Sequence, residues 1–174
     1  KKLTRVEQAI PDQFKIIRNR EDLETLVTAR RNGTAIVGGM LGIEGAHALE
    51  GNLANLDRLV EAGHRVIGLH HFFDNALGGS LHGISNAGLT KFGQSVVDAI
   101  GEKGLVLDLA HSSEQVARDV IERTDFPLIV SHSGIYAHCP TKRNYPDDLM
   151  KAIAKTGGVI GMGYWAEVAC GDIT

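Results

Sequence analysis

Cysteine is scarce: the 174 residues contain only Cys139 and Cys170. With no CxxC pair, their spacing indicates neither a disulfide framework nor a cysteine-based zinc site. Long apolar runs are missing too. No window approaches the roughly 18 apolar residues of a membrane span, and the start, KKLTRVEQAIPDQFKII, is charged at once with no apolar leader core. A cytoplasmic location is therefore favoured, with a signal peptide upstream of Lys1 left open. No charge of one sign dominates. A formal net charge of −3 and a pI near 6.2 exclude the electrostatic footprint of a nucleic-acid or anionic-membrane binder. What remains, 43% hydrophobic and 22% charged residues, is ordinary globular composition with enough chain for one sizeable core.

Glycine is what the chain has in plenty, 21 residues against four prolines. The glycines fall at the ends of apolar runs. Five such runs recur, TAIVGGMLGIEG (34–45), HRVIGLHH (64–71), GLVLDLAH (104–111), FPLIVSHS (126–133) and GGVIGMGYW (157–165). Each is short and nearly continuous, which predicts strands covered on both faces, as in a parallel sheet. Helical stripes lie between them. Leu23, Leu26 and Val27 follow Asn19, an N-cap candidate with Asp22 at its third helical position. Leu53, Leu56, Leu59 and Val60 end at Gly63, and Phe92, Val96, Val97 and Ile100 end at Gly101 or Gly104. Val116, Val120 and Ile121 are entered through Ser112, with Gln115 three residues on as in a capping box. Pro146, Asp147 and Asp148 open a last stripe carrying Leu149 and Ile153.

Alternating helices and strands imply right-handed crossovers and an α/β fold, open or curled into part of a barrel. The GGVIGMG stretch lacks the third glycine and the following helix of a dinucleotide fingerprint. Four of the runs deliver an ionisable group near their ends: Glu44, His71, His111 and His132. In either α/β architecture the C-terminal strand ends converge on the ligand-binding face. A carboxylate with several imidazoles on one rim suits zinc or a similar divalent ion. A single strand-end histidine is more often a packing residue, so it is the recurrence that points to a site.

The ordered blocks GIEGAH, GLHHFFDN, GLTKFGQSVV, GLVLDLAHSS, PLIVSHSG and KRNYPDDLM, running from Gly42 to Gly161, resemble the membrane (renal) dipeptidase family of zinc hydrolases and its bacterial members. The resemblance implies an α/β fold, part of a (β/α)8 TIM-type metallohydrolase barrel covering about strands 3–7, with two zinc ions per complete subunit. It puts the bridging metal ligand at Glu44 and ligands of the second metal at His111 and His132. His71, rather than His70, falls where the family has a histidine near the substrate that assists the tetrahedral intermediate. Arg143 falls where an arginine holds the substrate carboxylate, with Lys142 beside it as a point charge only. The implied reaction is hydrolysis of a dipeptide by metal-activated hydroxide, and pairing among family members makes a homodimer the implied partner arrangement.

The departures are equally specific. The family's His-x-Asp pair for the first metal has no counterpart here, nor does its late aspartate. Residues 1–174 therefore read as a single partial catalytic barrel domain lacking the first and last strands, inactive alone. Two alternatives stay open: another amidohydrolase-like hydrolase of lactams or acylated amino acids, and a noncatalytic binding protein on the same fold. Asp108 reads as a partner orienting a ligand imidazole or as a core hydrogen-bonding group. Asp74 and Asn75 are pocket-lining candidates, and Phe72 and Phe73 loop packing. His47 and His70 are expected at the surface or behind the site, and His64, His82 and His138 as solvent groups in turns.

Overall fold

Every pairing between strands is parallel, so one edge of the sheet collects all the C-terminal strand ends. A computed structural model describes residues 2–171. In chain order it runs α1 (Lys2–Ala9), β1 (Phe14–Ile16), α2 (Arg20–Arg31), β2 (Val37–Gly39), β3 (Leu41–Ile43), α3 (Ala54–Glu61), β4 (His64–Gly68), α4 (Lys91–Glu102), β5 (Val106–Asp108), α5 (Glu114–Arg123), β6 (Ile129–Ser133), α6 (Asp147–Lys155), β7 (Val159–Met162) and α7 (Ala166–Ala169). Strands β3 to β7 form one sheet in sequence order, and β1 pairs with β2 in a second, two-stranded sheet. Only Met40 separates β2 from β3, so the single run read at 34–45 serves both sheets. Strand β1 was not among the five expected runs.

The core shows a period of two. Ile67 and Leu69, Leu107 and Leu109, and Leu128 and Val130 are fully buried, while their neighbours Val66, Val106 and Ile129 are only half-buried. The buried set packs with Leu56 of α3, Val96, Val97 and Ile100 of α4, Val116 and Val120 of α5, and Leu149 and Ile153 of α6. The expectation of strands covered on both faces is therefore corrected. Among the described residues only the helix-facing side is sealed, and the edge strand β7 leaves Val159 66% exposed. A one-sided helical layer over a parallel sheet is the arrangement found in a barrel wall.

Local capping explains where the helices start. Asn19 accepts from the Asp22 backbone N–H at 2.8 Å, as expected. Helix α5 is capped by Ser113 rather than Ser112: Ser113 Oγ accepts from Val116 N–H at 3.1 Å and donates to the Ala87 carbonyl at 2.7 Å. Ser112 is taken up elsewhere, its Oγ lying 3.1 Å from His70 Nδ1. His70 is thus a fully buried group, not a surface one, and it ties the end of β4 to the end of β5. The two cysteines also depart from expectation, since Cys139 and Cys170 form a disulfide. It fastens the loop after β6 to the end of α7.

Replacing Ser113 with alanine removes a cap and strands the Val116 N–H, with an expected loss of about 1 kcal/mol in unfolding free energy, read as a lower urea midpoint at unchanged slope. His70 gives a pH signature. Burial pushes its pKa from 6.5 down to about 4, so the unfolded chain takes up the proton first as acid is added. Stability is full above pH 6.5 and falls toward about pH 4. His111, pushed by burial to about 3, adds a slope of the same sign. Urea midpoints across this range are expected to fall less steeply in His70→Asn than in the parent.

Candidate metal and substrate site

The parallel register brings one side chain from each strand end to a common mouth. Glu44 follows β3 directly, His71 and His111 lie three residues beyond β4 and β5, and His132 is the fourth residue of β6. The Glu44 turn needs its glycine. Gly45 has φ +88°, and a Cβ there would stand 2.9 Å from the His47 ring and 3.1 Å from His71 Cβ, so only glycine allows the chain to turn beside His71.

Three ligand-type atoms meet. Glu44 Oε1 lies 3.0 Å from His111 Nε2 and 3.1 Å from His132 Nε2, and the two imidazole nitrogens are 2.9 Å apart. His71 Nε2 stands off at 3.8 Å from Glu44 Oε2. Glu44, His71 and His111 also form a group whose donor atoms lie within 4.8 Å of one another. Ligand atoms around a tetrahedral zinc sit about 3.3 Å apart, close to the edges of this triangle. The donor chemistry fits as well. His132 Nδ1 pairs with Ser131 Oγ at 2.8 Å, and donation there leaves the Nε2 lone pair facing the cluster. Burial first, then the charges of Arg143 and His132, hold His111 down to about 3, so its ring is neutral and can offer a lone pair. A carboxylate and two such nitrogens in mutual contact need a proton or a cation between them, and a divalent ion satisfies all three.

The backbone around His111 is built under strain. It occupies the left-handed region at φ 65°, which costs a non-glycine residue free energy and marks an over-determined position. Its carbonyl accepts from Leu81 N–H at 2.9 Å. Ser80 Oγ sits between the carbonyls of His71 and His111. Tyr145 Oη donates to the carbonyls of Leu109 at 2.7 Å and Ser112 at 3.0 Å.

Arg143 comes from the loop after β6. Its Nη2 donates to the His132 carbonyl at 2.9 Å and approaches His111 Nε2 at 3.4 Å, while the guanidinium lies 5.5 Å over the Trp165 ring. It is 2% exposed and has no carboxylate ion-pair partner among the described residues. Lys142 instead borders a separate depression of about 560 Å3 at the starts of α5 and α6, where Arg118 is already paired with Glu114 and Asp148.

Glu44, His71, His111, His132 and Arg143 all border one cleft of about 390 Å3, together with Phe72, His82, Trp165 and Glu167. The last four were not anticipated as site residues. Trp165 and Glu167 lie just beyond β7, at the end of the fifth apolar run. His82 gave no signal, because the loop that carries it has no period. The loop is organised by Asp74, whose carboxylate accepts from the N–H groups of Ser80, Ile84 and Ser85 and is held down to about 2, most strongly by the bond from Ser85. Asp74 and Asn75 are thus loop braces: Asn75 donates to the Leu69 carbonyl and accepts from Leu77 N–H. Asp108 likewise accepts from the backbone of Ala110 and Ser131 and orients no ligand ring. His64 contacts the Leu59 carbonyl and His138 the Ala169 carbonyl.

Known proteins resemble both the sequence and this fold. The profile of the membrane dipeptidases, peptidase family M19, matches residues 1–169. Dipeptidase 3 of Mus musculus is 30% identical over 145 residues, 74% of this chain and 27% of that protein. The probable dipeptidase PvdM from Pseudomonas aeruginosa superposes with a TM-score of 0.83 at 25% identity, over 95% of this chain and 42% of that one. A metallopeptidase from Rhodobacter sphaeroides, liganded with a phosphinate mimic of the dipeptide L-Ala-D-Ala, superposes with a TM-score of 0.77 at 27% identity, over 92% of this chain and 46% of that one. The chain thus spans less than half the length of each of these relatives, and its sheet is the corresponding part of a TIM-type metallohydrolase barrel. The chain belongs to the membrane dipeptidase family, peptidase family M19.

Proposed function

We propose that this chain carries the second-metal and substrate-carboxylate parts of a zinc-dependent dipeptidase. The observation that carries the reading is the contact triangle of Glu44, His111 and His132 in the same cleft as a buried guanidinium that has no ion-pair partner among the described residues. Residues 1–174 act as a partial catalytic barrel domain. Glu44, His111 and His132 would hold one zinc, and Glu44 would also serve a second, whose other ligands have no counterpart among the described residues. When bound, the two ions supply Lewis acidity toward the scissile carbonyl and toward a water.

The chain's own side chains do the rest. A buried cation without a counter-ion is costly, and a substrate carboxylate arriving at Arg143 offsets that cost through two parallel hydrogen bonds. The same guanidinium ties the substrate end to the metal end, because it donates to the His132 carbonyl. His71, half-buried at the rim, stands beside the cluster and donates a hydrogen bond to the carbonyl oxygen as negative charge develops there. Requiring a free carboxylate this close to the cluster restricts the substrate to something short. No helix among the described residues is long and apolar enough to cross a membrane. The Cys139–Cys170 disulfide favours an oxidising compartment, against the cytoplasmic location that the N-terminus suggested.

Two outcomes are expected of the complete protein. Loaded with zinc, it hydrolyses L-Ala-D-Ala or L-Ala-L-Ala faster than N-acetylalanine, loses this activity to a chelator and regains it with zinc. His111→Ala lowers zinc content from two to one per chain and kcat by more than about 100-fold. A preference for the acylated amino acid would favour a related amidohydrolase, and tight zinc without turnover a binding protein. Second, Arg143→Lys keeps the charge but loses the bidentate fork, raising KM about tenfold with a smaller effect on kcat, as expected for about 1.4 kcal/mol of charged hydrogen bonding.

A further inference from the structure

Glu167 is a carboxylate in the cleft that neither the metal cluster nor the carboxylate-holding arginine uses. It lies on α7, is exposed and borders the same cleft as His111, His132, Arg143 and Trp165. Among the described residues it has no ion-pair partner.

The main chain around Glu167 is held by stitching between two loops. Thr141 Oγ1 donates to the Glu167 carbonyl at 3.0 Å, Asn144 Nδ2 to the Val168 carbonyl at 2.9 Å, and the Cys139–Cys170 disulfide closes the same junction. The loop that carries Arg143 and the helix that carries Glu167 are therefore tied together. The Arg143 guanidinium lies over the Trp165 ring, which lines the cleft together with Glu167. Two opposite charges, neither with an ion-pair partner among the described residues, thus stand on the β6–β7 side, while Glu44 enters from β3 at the other end of the sheet.

We propose that Glu167 and Trp165 form a side-chain subsite that selects dipeptides with a cationic C-terminal residue, a lysine, ornithine or arginine. The inference rests on the dipeptidase reading, because it takes the substrate carboxylate to sit at Arg143. The C-terminal residue then lies on the β6–β7 side, and its side chain is the one nearest Glu167. A lysine stem covers apolar ring surface while its ammonium stays at the wet rim, which suits a cleft lined by both Trp165 and an exposed carboxylate. The pair is half-exposed, so its contribution is modest, about a fivefold preference rather than a thousandfold one.

The test uses the complete, zinc-loaded protein with Ala-Lys and its uncharged isostere Ala-norleucine, each with the C-terminal residue in L and D forms. The expected ratio of kcat/KM is about five in favour of lysine for whichever form is cleaved. It falls to about one in Glu167→Gln, survives in part in Glu167→Asp, and turns in favour of Ala-Glu in Glu167→Arg. Dissociation constants of phosphinate mimics bearing the same two side chains are expected to shift in parallel, which separates binding from turnover. A lysine preference that persists in Glu167→Gln overturns the inference and leaves the dipeptidase reading intact. An equal loss for both substrates assigns Glu167 to the substrate amino group and overturns it too. Failure of the parent protein to cleave any of these dipeptides overturns both.

Discussion

A carboxylate oxygen and two imidazole nitrogens, each about 3 Å from the other two, cannot rest together without positive charge between them. This constraint organises the rest of the molecule. Every strand is parallel to its neighbour so that the three elements bearing these groups end at one rim, and the intervening helices seal only the outer face of the sheet. The triangle sits where hydrophobic burial stops: Leu109 and Ala110 are buried in the core, and His111 is the next residue, turned into the left-handed region to bring its ring over the edge. The free energy that this turn costs is offset by a ring of hydrogen bonds to the carbonyls around it, from Ser80, Leu81 and Tyr145.

The two ends of the cleft are linked through Arg143. Its guanidinium donates to the main chain of one candidate ligand and approaches the ring of another, and it lies over the indole that floors the far end of the cleft. It is buried and has no carboxylate partner among the described residues. The loop that carries it is clamped by the disulfide and by Asn144, which bonds the carbonyls of both Cys139 and Val168. Orientation of the arginine is therefore a property of the β6 and β7 loops together.

Much of this was legible in the sequence wherever a residue followed a buried run. Glu44, His71, His111 and His132 could be proposed as neighbours because apolar runs in a parallel sheet must end on the same side, whatever the loops do. The fold class followed from the alternation of those runs with helical stripes. Other features escaped because their cause lies in loop paths. Strand β1, three residues of which only Ile16 is buried, has too short an apolar pattern to read. The capping role passed from Ser112 to Ser113 because His70, buried behind the site, claims the Ser112 hydroxyl. Cys139 and Cys170 have no telling spacing, and they meet only because the ends of β6 and β7 are adjacent. His82 reaches the cleft through a loop folded around the Asp74 carboxylate, a three-dimensional arrangement with no one-dimensional period.

The account stands on where the cation sits. Anomalous diffraction at the zinc edge from crystals of the complete protein measures this directly. A peak within bonding distance, about 2.0–2.2 Å, of Glu44 Oε1, His111 Nε2 and His132 Nε2 is the result this account predicts. Zinc bound elsewhere with these three side chains hydrogen-bonded only to one another, or no anomalous peak from protein saturated with the metal, would contradict it.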